Sequence, residues 1–352
     1  MNLETIAHIG APKCGSSALQ THLTHNPTLI DKTGNTIAYA SFGFRGFTPP
    51  DKIKKLINHR LRGYECSAEG QAIRGFSDSL KSQIKSSIEK YPTPLIFSCE
   101  DWTNTFVSND SDVLIDLLTA GNSKRLKVVM FVRPPVQWIN SAWWQWGAWV
   151  KDLDFKSWLA SAINNCSWSK YLRTIQNLKH VADLSVFPVR GNIIPQFYNS
   201  MNCEISFSDN PTTNQSLPAE IINLFKHSPE LRPGPHDSAI DFVALRAISG
   251  SSHSYQKSPW ILEESHIKEI LDKTYDSNID ILNMMSEGDR DYVLNSSTWW
   301  SLEAYKKNIL SCLNGDSTQN DYINLSVDFL KLLNQSMFVL EKHGLLNELN
   351  CR

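Results

Sequence analysis

A lysine enclosed by two glycines at a strand-to-helix turn is a cation placed to meet a phosphate. The segment Ile6-Ala-His-Ile-Gly10-Ala-Pro12-Lys13-Cys14-Gly15-Ser16-Ser17 reads as a short apolar strand, a turn opened by Gly10 and Pro12, and a helix beginning at Ser16. Backbone N–H groups of a first helical turn, with the positive end of the helix dipole behind them, form an anion site. In the nucleotide-triphosphate loop G-x-x-x-x-G-K-[ST] the lysine follows the second glycine and the hydroxyl holds a metal. Gly10 and Gly15 keep that spacing, but Ser16 stands where the lysine belongs and Lys13 lies inside the loop. Such a lysine suits the bridging oxygen of a phospho-anhydride, where negative charge grows as the bond breaks, and needs no metal there. The same residue types also fit an ordinary glycine-rich turn with a solvated lysine.

A second constellation follows the apolar run Leu126-Lys-Val-Val-Met-Phe-Val132: Arg133-Pro-Pro, then a predicted helix carrying Ser141 eight residues on. A short continuous apolar run is a strand covered on both faces, and ligands gather at the carboxyl ends of such strands. Arg133 offers a bidentate fork and Ser141 a hydroxyl, a suitable pair for a phosphate monoester. Arg133 serves equally as a structural cap or ion-pair partner.

Together the two pieces resemble the sulfotransferase family that uses 3′-phosphoadenosine 5′-phosphosulfate (PAPS). There a Pro-Lys-x-Gly-[ST]-[ST] loop grips the 5′-phosphosulfate, and an Arg followed eight residues later by Ser grips the 3′-phosphate. Pro12, Lys13, Cys14, Gly15, Ser16 and Ser17 match the first motif, and Arg133 with Ser141 the second. The likeness extends more loosely through Phe97-Ser-Cys-Glu100-Asp-Trp102, Ser141-Ala-Trp-Trp-Gln-Trp146, Asn214-Gln-Ser-Leu-Pro218 and Lys273-Thr-Tyr-Asp-Ser-Asn278, which look like bacterial carbohydrate-type members. The resemblance implies PAPS as co-substrate, 3′-phosphoadenosine 5′-phosphate (PAP) as product, no metal, and a sugar or glycoconjugate hydroxyl as acceptor. It also implies a base for the acceptor proton. Glu100 is the first candidate, because it ends the apolar run Leu95–Cys99 at the same predicted sheet edge as Lys13, and burial there raises a carboxyl pKa. Asp101 ranks second. Glu100 as a mere partner of Lys13 or a cap of the next helix is the alternative.

Seven of the eleven tryptophans fall between 138 and 168. At 3.6 residues per turn they cannot share one face, so some are core and some line a surface. Trp143, and above all Trp102 beside Glu100, are assigned to the acceptor cleft, where an indole stacks on a sugar ring. His8 reads as a core residue of the first strand; His22 and His25 lie on the first helix, and His236 on a loop. Asn214 or Ser216 reads as a helix N-cap. Residues 63–75, with Arg62 and Arg74, form a candidate lid.

The elements that must carry these groups alternate: strand 5–9, helix 16–25, loop to about 50, helical 51–62, loop 63–78, helix 78–90, strand 94–99, helix 110–120, strand 126–132, helix 135–149, helices 154–163 and 167–179, and strand 184–188. Alternation predicts an α/β fold: a P-loop-like parallel sheet with helices on both faces and a helical C-terminal layer. We expect a single domain over 1–352, its sheet core about 1–200 and its helical part about 215–352. Net charge is −2, which leaves no electrostatic footprint for nucleic acid. No stretch reaches the ~18–20 apolar residues of a membrane span, and no signal peptide is evident. Seven scattered cysteines without C-x-x-C pairs point to free thiols and a cytoplasmic location. A homo-oligomer is left open. Two other functions fit the loop: an ATP-dependent phosphotransferase, disfavoured by the missing lysine after Gly15, and a non-catalytic nucleotide- or glycan-binding protein on the same fold.

Overall fold

The computed structural model describes residues 5–57, 67–121, 125–205, 217–235, 239–248, 251, 259–312 and 319–342. The chain forms two compact units: Met1–Trp138, Ile163–Asn214 and Glu269–Ser301 make the first, and Ile139–Ala162, Gln215–Lys268 and Leu302–Arg352 the second. In chain order the elements are β1 (Thr5–His8), α1 (Ser16–His25), β2 (Thr28–Ile30), β3 (Thr36–Tyr39), β4 (Ser41–Gly43), β5 (Gly46–Thr48), α2 (Pro50–Ile57), α3 (Asp78–Glu89), β6 (Leu95–Ser98), α4 (Trp102–Phe106), α5 (Ser111–Leu118) and β7 (Leu126–Val132). There follow α6 (Pro135–Gln145), α7 (Phe155–Asn165), α8 (Trp168–Gln176), β8 (Val181–Pro188) and α9 (Ile194–Ser200). The rest is helical: α10 (Ala219–His227), α11 (Ala239–Ile248), α12 (Glu264–Leu282), α13 (Glu287–Asn295), α14 (Lys306–Cys312) and α15 (Gln319–Lys342).

The first unit is built on a six-stranded sheet in the order β2-β3-β6-β1-β7-β8. All pairings are parallel except the β2–β3 edge. Every residue of β1 and β6 is buried, and only Lys127 of β7 is not, so these strands are mostly apolar because helices shield the sheet. β1 lies between β6, in register Ile6↔Ile96, and β7, in register Ile6↔Lys127. The chain leaves β1 toward β6 first and crosses to β7 afterward, so the carboxyl end of β1 is the topological switch point where a crevice opens.

Some expectations need correcting. The stretch to residue 50 was expected to be loop, yet it holds β2, β3 and the β4–β5 hairpin, which pairs Phe42 with Phe47. Strands of three or four residues, rich in Thr, Ser and Gly, carry too little apolar alternation to stand out. β8 begins at Val181 rather than 184: Ala182 and Asp183 are exposed on the sheet edge, so the start of the strand lacks the look of a covered run. The α6 helix stops at Gln145, and a 3-10 turn covers Gly147–Trp149. Asn214, Gln215, Ser216, His236 and residues 58–66 lie outside the described residues.

The second unit has its own apolar core, built by Trp149, Leu217, Ile221, Ile222, Phe225, Ala244 and Leu325. Arg232 is buried there, stacked 4.1 Å over the Trp149 ring and paired with Asp241 at 3.2 Å. A charge is tolerated in such a place only when paired and stacked. No helix among the described residues is long and apolar enough to cross a membrane.

Candidate functional site

The loop from β1 to α1 is strapped to both neighbouring strands. Ile9 and Ala11 donate backbone bonds to Val129 and Phe131 at 3.0 and 2.9 Å, and Phe131 returns one to Gly10 at 2.8 Å. On the other side Cys99 N–H donates to His8 at 2.9 Å, and the Thr103 hydroxyl to Ile9 at 2.7 Å. Gly10 is required here: its φ is +106°, and a Cβ would stand 3.0 Å from the Glu100 carbonyl oxygen. The bare glycine thus brings the end of β6 against the loop.

Lys13 has a left-handed backbone, φ 63°, uncommon for a side-chain-bearing residue. Its carbonyl accepts a 3.0 Å bond from Arg133 Nη1, and the carbonyl of Pro12 accepts a 2.8 Å bond from Trp138 Nε1. Gly15, at φ 97°, is the N-cap of α1 and supplies no side-chain cap, and the first turn carries no acidic residue. The amides of that turn have no intrahelical acceptor, and a helix start of this kind suits an anion. The buried Ser16 hydroxyl donates to the Ala11 carbonyl at 3.4 Å.

Glu100 is half-buried immediately after β6. Burial pushes its carboxyl above the ordinary carboxylate range; Lys13 pulls it down, the charge of Asp101 raises it, and a hydrogen bond from Ser16 lowers it. Lys13 and Ser16 are thus close enough to Glu100 to act on its carboxyl. Cys14 and Cys99 flank the site, but burial pushes both thiols up to about 12, so neither is a ready thiolate. These two, with Cys166 and Cys203, are free.

A cleft of about 350 Å³ opens beside Glu100. One wall is Ser17 and Gln20 of α1, another is residues 67–72, and Cys99, Glu100 and Asp101 form the third. The 67–70 segment is held there by bonds from Ala68 N–H to Ser98 and from Glu69 N–H to Phe42, each 3.1 Å. Gln20 was not among the residues singled out from sequence, though the helical spacing from Ser16 to Gln20 was a usable signal. Residues 67–72 belong to the 63–75 stretch expected as a lid, and they form a wall of the cleft.

Trp102 is fully buried, stacked on Phe42 with ring centroids 5.7 Å apart, and does not line the cleft. It sits behind Gly70, whose missing Cβ would lie 3.0 Å from its ring. Trp143 is buried in an aromatic cluster of the second unit, edge-on to Phe155 at 5.0 Å and Trp158 at 5.3 Å. Arg133 reaches Gln137 through Nη2 at 3.4 Å as well as Lys13, so its guanidinium braces the loop. Ser141 is half-buried on α6. His8 is a core residue, as its place in the first strand suggested, and His22 bonds the Tyr198 hydroxyl at 3.0 Å. Among the described residues no group of three or more His, Cys, Asp or Glu is placed to hold a metal ion.

No protein-family model matches this chain, and no curated protein does. Among solved structures it is similar to the crystal structure of a sulfotransferase from Alicyclobacillus acidocaldarius, at 11% sequence identity and a TM-score of 0.35, over 83% of this chain and 100% of that one.

Proposed function

We propose that the protein is a sulfotransferase that takes a sulfuryl group from PAPS and delivers it to a hydroxyl of a sugar or glycoconjugate, a small molecule or glycan. The observation that carries this reading is Glu100, which lines the cleft and whose carboxyl is raised by burial while Lys13 and Ser16 act on it in the opposite sense. PAPS supplies the sulfuryl group and leaves as PAP. Lys13 and the first-turn amides neutralise charge on the departing 5′-phosphate oxygen as it takes the electron pair of the breaking S–O bond. Pro12, Cys14 and Gly15 shape the loop, and Ser16 and Ser17 add hydroxyl donors. Arg133, with Ser141 eight residues on, is assigned to the 3′-phosphate. Glu100 receives the proton of the acceptor hydroxyl as its oxygen bonds to sulfur, and its raised pKa brings it nearer to neutral operating pH.

The test is a thermal-shift titration with PAP against ATP plus Mg²⁺. A ligand at 100 times its Kd adds about 2.7 kcal/mol, so PAP stabilises the protein and ATP–Mg²⁺ does not. Stabilisation by ATP–Mg²⁺ instead makes it a phosphotransferase. Glu100→Gln abolishes transfer from radiolabelled PAPS while PAP affinity stays near that of the wild type; retained transfer removes Glu100 from the base role.

A further inference from the structure

The cleft has a second feature, built one helical turn, about 5.4 Å, beyond Ser16. Gln20 lines the cleft while only 3% exposed, and its Nε2 is 3.2 Å from Ser98 Oγ. Ser98 Oγ in turn is 2.7 Å from His8 Nδ1. His8 is wholly buried, with ring centroids of Phe131 and Phe197 at 5.9 and 6.0 Å, and its Nε2 has no hydrogen-bond partner. Desolvation lowers its pKa to about 3, so the ring is neutral and carries a single N–H.

With that hydrogen on Nε2, Gln20 can be turned only one way. With the hydrogen on Nδ1, a bare nitrogen lone pair is left among aromatic rings. With it on Nε2, an N–H meets those rings, which is the favourable arrangement. Nδ1 is then an acceptor, and the one hydrogen of Ser98 is spent on it. Ser98 oxygen therefore accepts from the Gln20 amide NH₂, and the carbonyl oxygen of Gln20 is left for the cleft. The facing walls bring Ser67, Glu69, Gln71 and Asp101, all polar, and no aromatic or branched aliphatic side chain that a phenol or steroid ring would pack against.

Resting on the sulfuryl-transfer reading above, we propose that Gln20 orients the acceptor, its carbonyl oxygen taking a hydrogen bond from a second hydroxyl or ammonium group on a polyhydroxylated substrate. Ser98 and His8 are positioning residues that hold the amide in this sense. The class of acceptor is a sugar or amino sugar with at least one donor group besides the hydroxyl that is sulfated; a simple phenol lacks it.

Two measurements test this. In ¹⁵N-histidine-labelled wild-type protein at pH 7, His8 gives an unprotonated Nδ1 resonance and a protonated Nε2; the reverse tautomer overturns the proposal. With radiolabelled PAPS, the wild type sulfates methyl β-galactoside or methyl β-glucosaminide in preference to 4-nitrophenol. Gln20→Leu lowers kcat/KM for the glycoside at least tenfold, and Ser98→Ala raises its KM several-fold with a smaller change in kcat. PAP affinity stays within twofold in both. Preference for 4-nitrophenol, turnover of neither glycoside, or an unchanged glycoside KM overturns the proposal. A wild type that does not bind PAP overturns sulfuryl transfer itself, whereas the His8 tautomer, read without any ligand, decides separately which way the Gln20 amide is turned.

Discussion

Arg133 donates to the carbonyl of a residue, Lys13, whose φ of 63° an L-amino acid adopts at a cost of about 1–2 kcal/mol. A hydrogen bond from a charged donor contributes roughly 1.5–3 kcal/mol, enough to offset that strain and hold the lysine where an anion meets it. The guanidinium therefore braces the loop, beside the phosphate contact proposed for it. Arg133→Ala weakens PAP and also adenosine 5′-phosphosulfate, which lacks the 3′-phosphate, by roughly tenfold or more each, since tenfold corresponds to about 1.4 kcal/mol. Isothermal titration of the two ligands checks this. An unchanged affinity for adenosine 5′-phosphosulfate shows the Lys13 brace to be idle.

At the scale of the element, the strand–turn–helix unit depends on the closeness of two backbones. Gly10→Ala adds a Cβ 3.0 Å from the Glu100 carbonyl oxygen at a φ of +106°, whereas Gly34→Ala meets nothing within 4 Å at a φ of +85°. Both variants carry the positive-φ cost, about 1–3 kcal/mol, and only the first also pushes β6 away from the loop. Urea unfolding of the two, with PAP binding alongside, separates the effects: Gly10→Ala is the less stable and loses PAP affinity, and equal results for both dismiss the close approach. β1, β6 and β7 were legible in the sequence because each is a short, mostly apolar stretch, as a strand covered on both faces must be. The turn between β1 and α1 was legible because its glycines mark it. The short strands β2 to β5 were not, since hydrophobic periodicity needs more than three or four residues to declare itself. The stretch at 67–72 was marked in the sequence as part of a lid, but its anchoring was not legible, because its place is set by bonds to Ser98 and Phe42, residues far away in the chain.

Across the whole molecule the candidate site leaves a signature in the dependence of stability on pH. His8 in the folded chain titrates near pH 3 against an ordinary value of 6.5, because burial disfavours its charged form. As pH falls below 6.5 the unfolded chain takes up a proton that the folded chain refuses, so stability present above 6.5 is lost progressively down to about 3, at roughly 1.4 kcal/mol per pH unit. Glu100 acts in the opposite sense. Its folded pKa is raised, so the folded chain binds its proton first as pH falls, and stability is gained between that raised value and the ordinary 4.5. Urea unfolding from pH 7.5 to 4.5 resolves the two. His8→Asn keeps an acceptor for Ser98 and removes the titration, so it is the less stable at pH 7.5 and the gap to the wild type closes by about 1.4 kcal/mol per unit below pH 6.5. Glu100→Gln is the more stable at pH 7.5 and shows the steeper acid loss. Parallel curves for the wild type and His8→Asn mean that His8 accepts a proton in the fold, which removes the neutral ring on which the orientation of Gln20 rests.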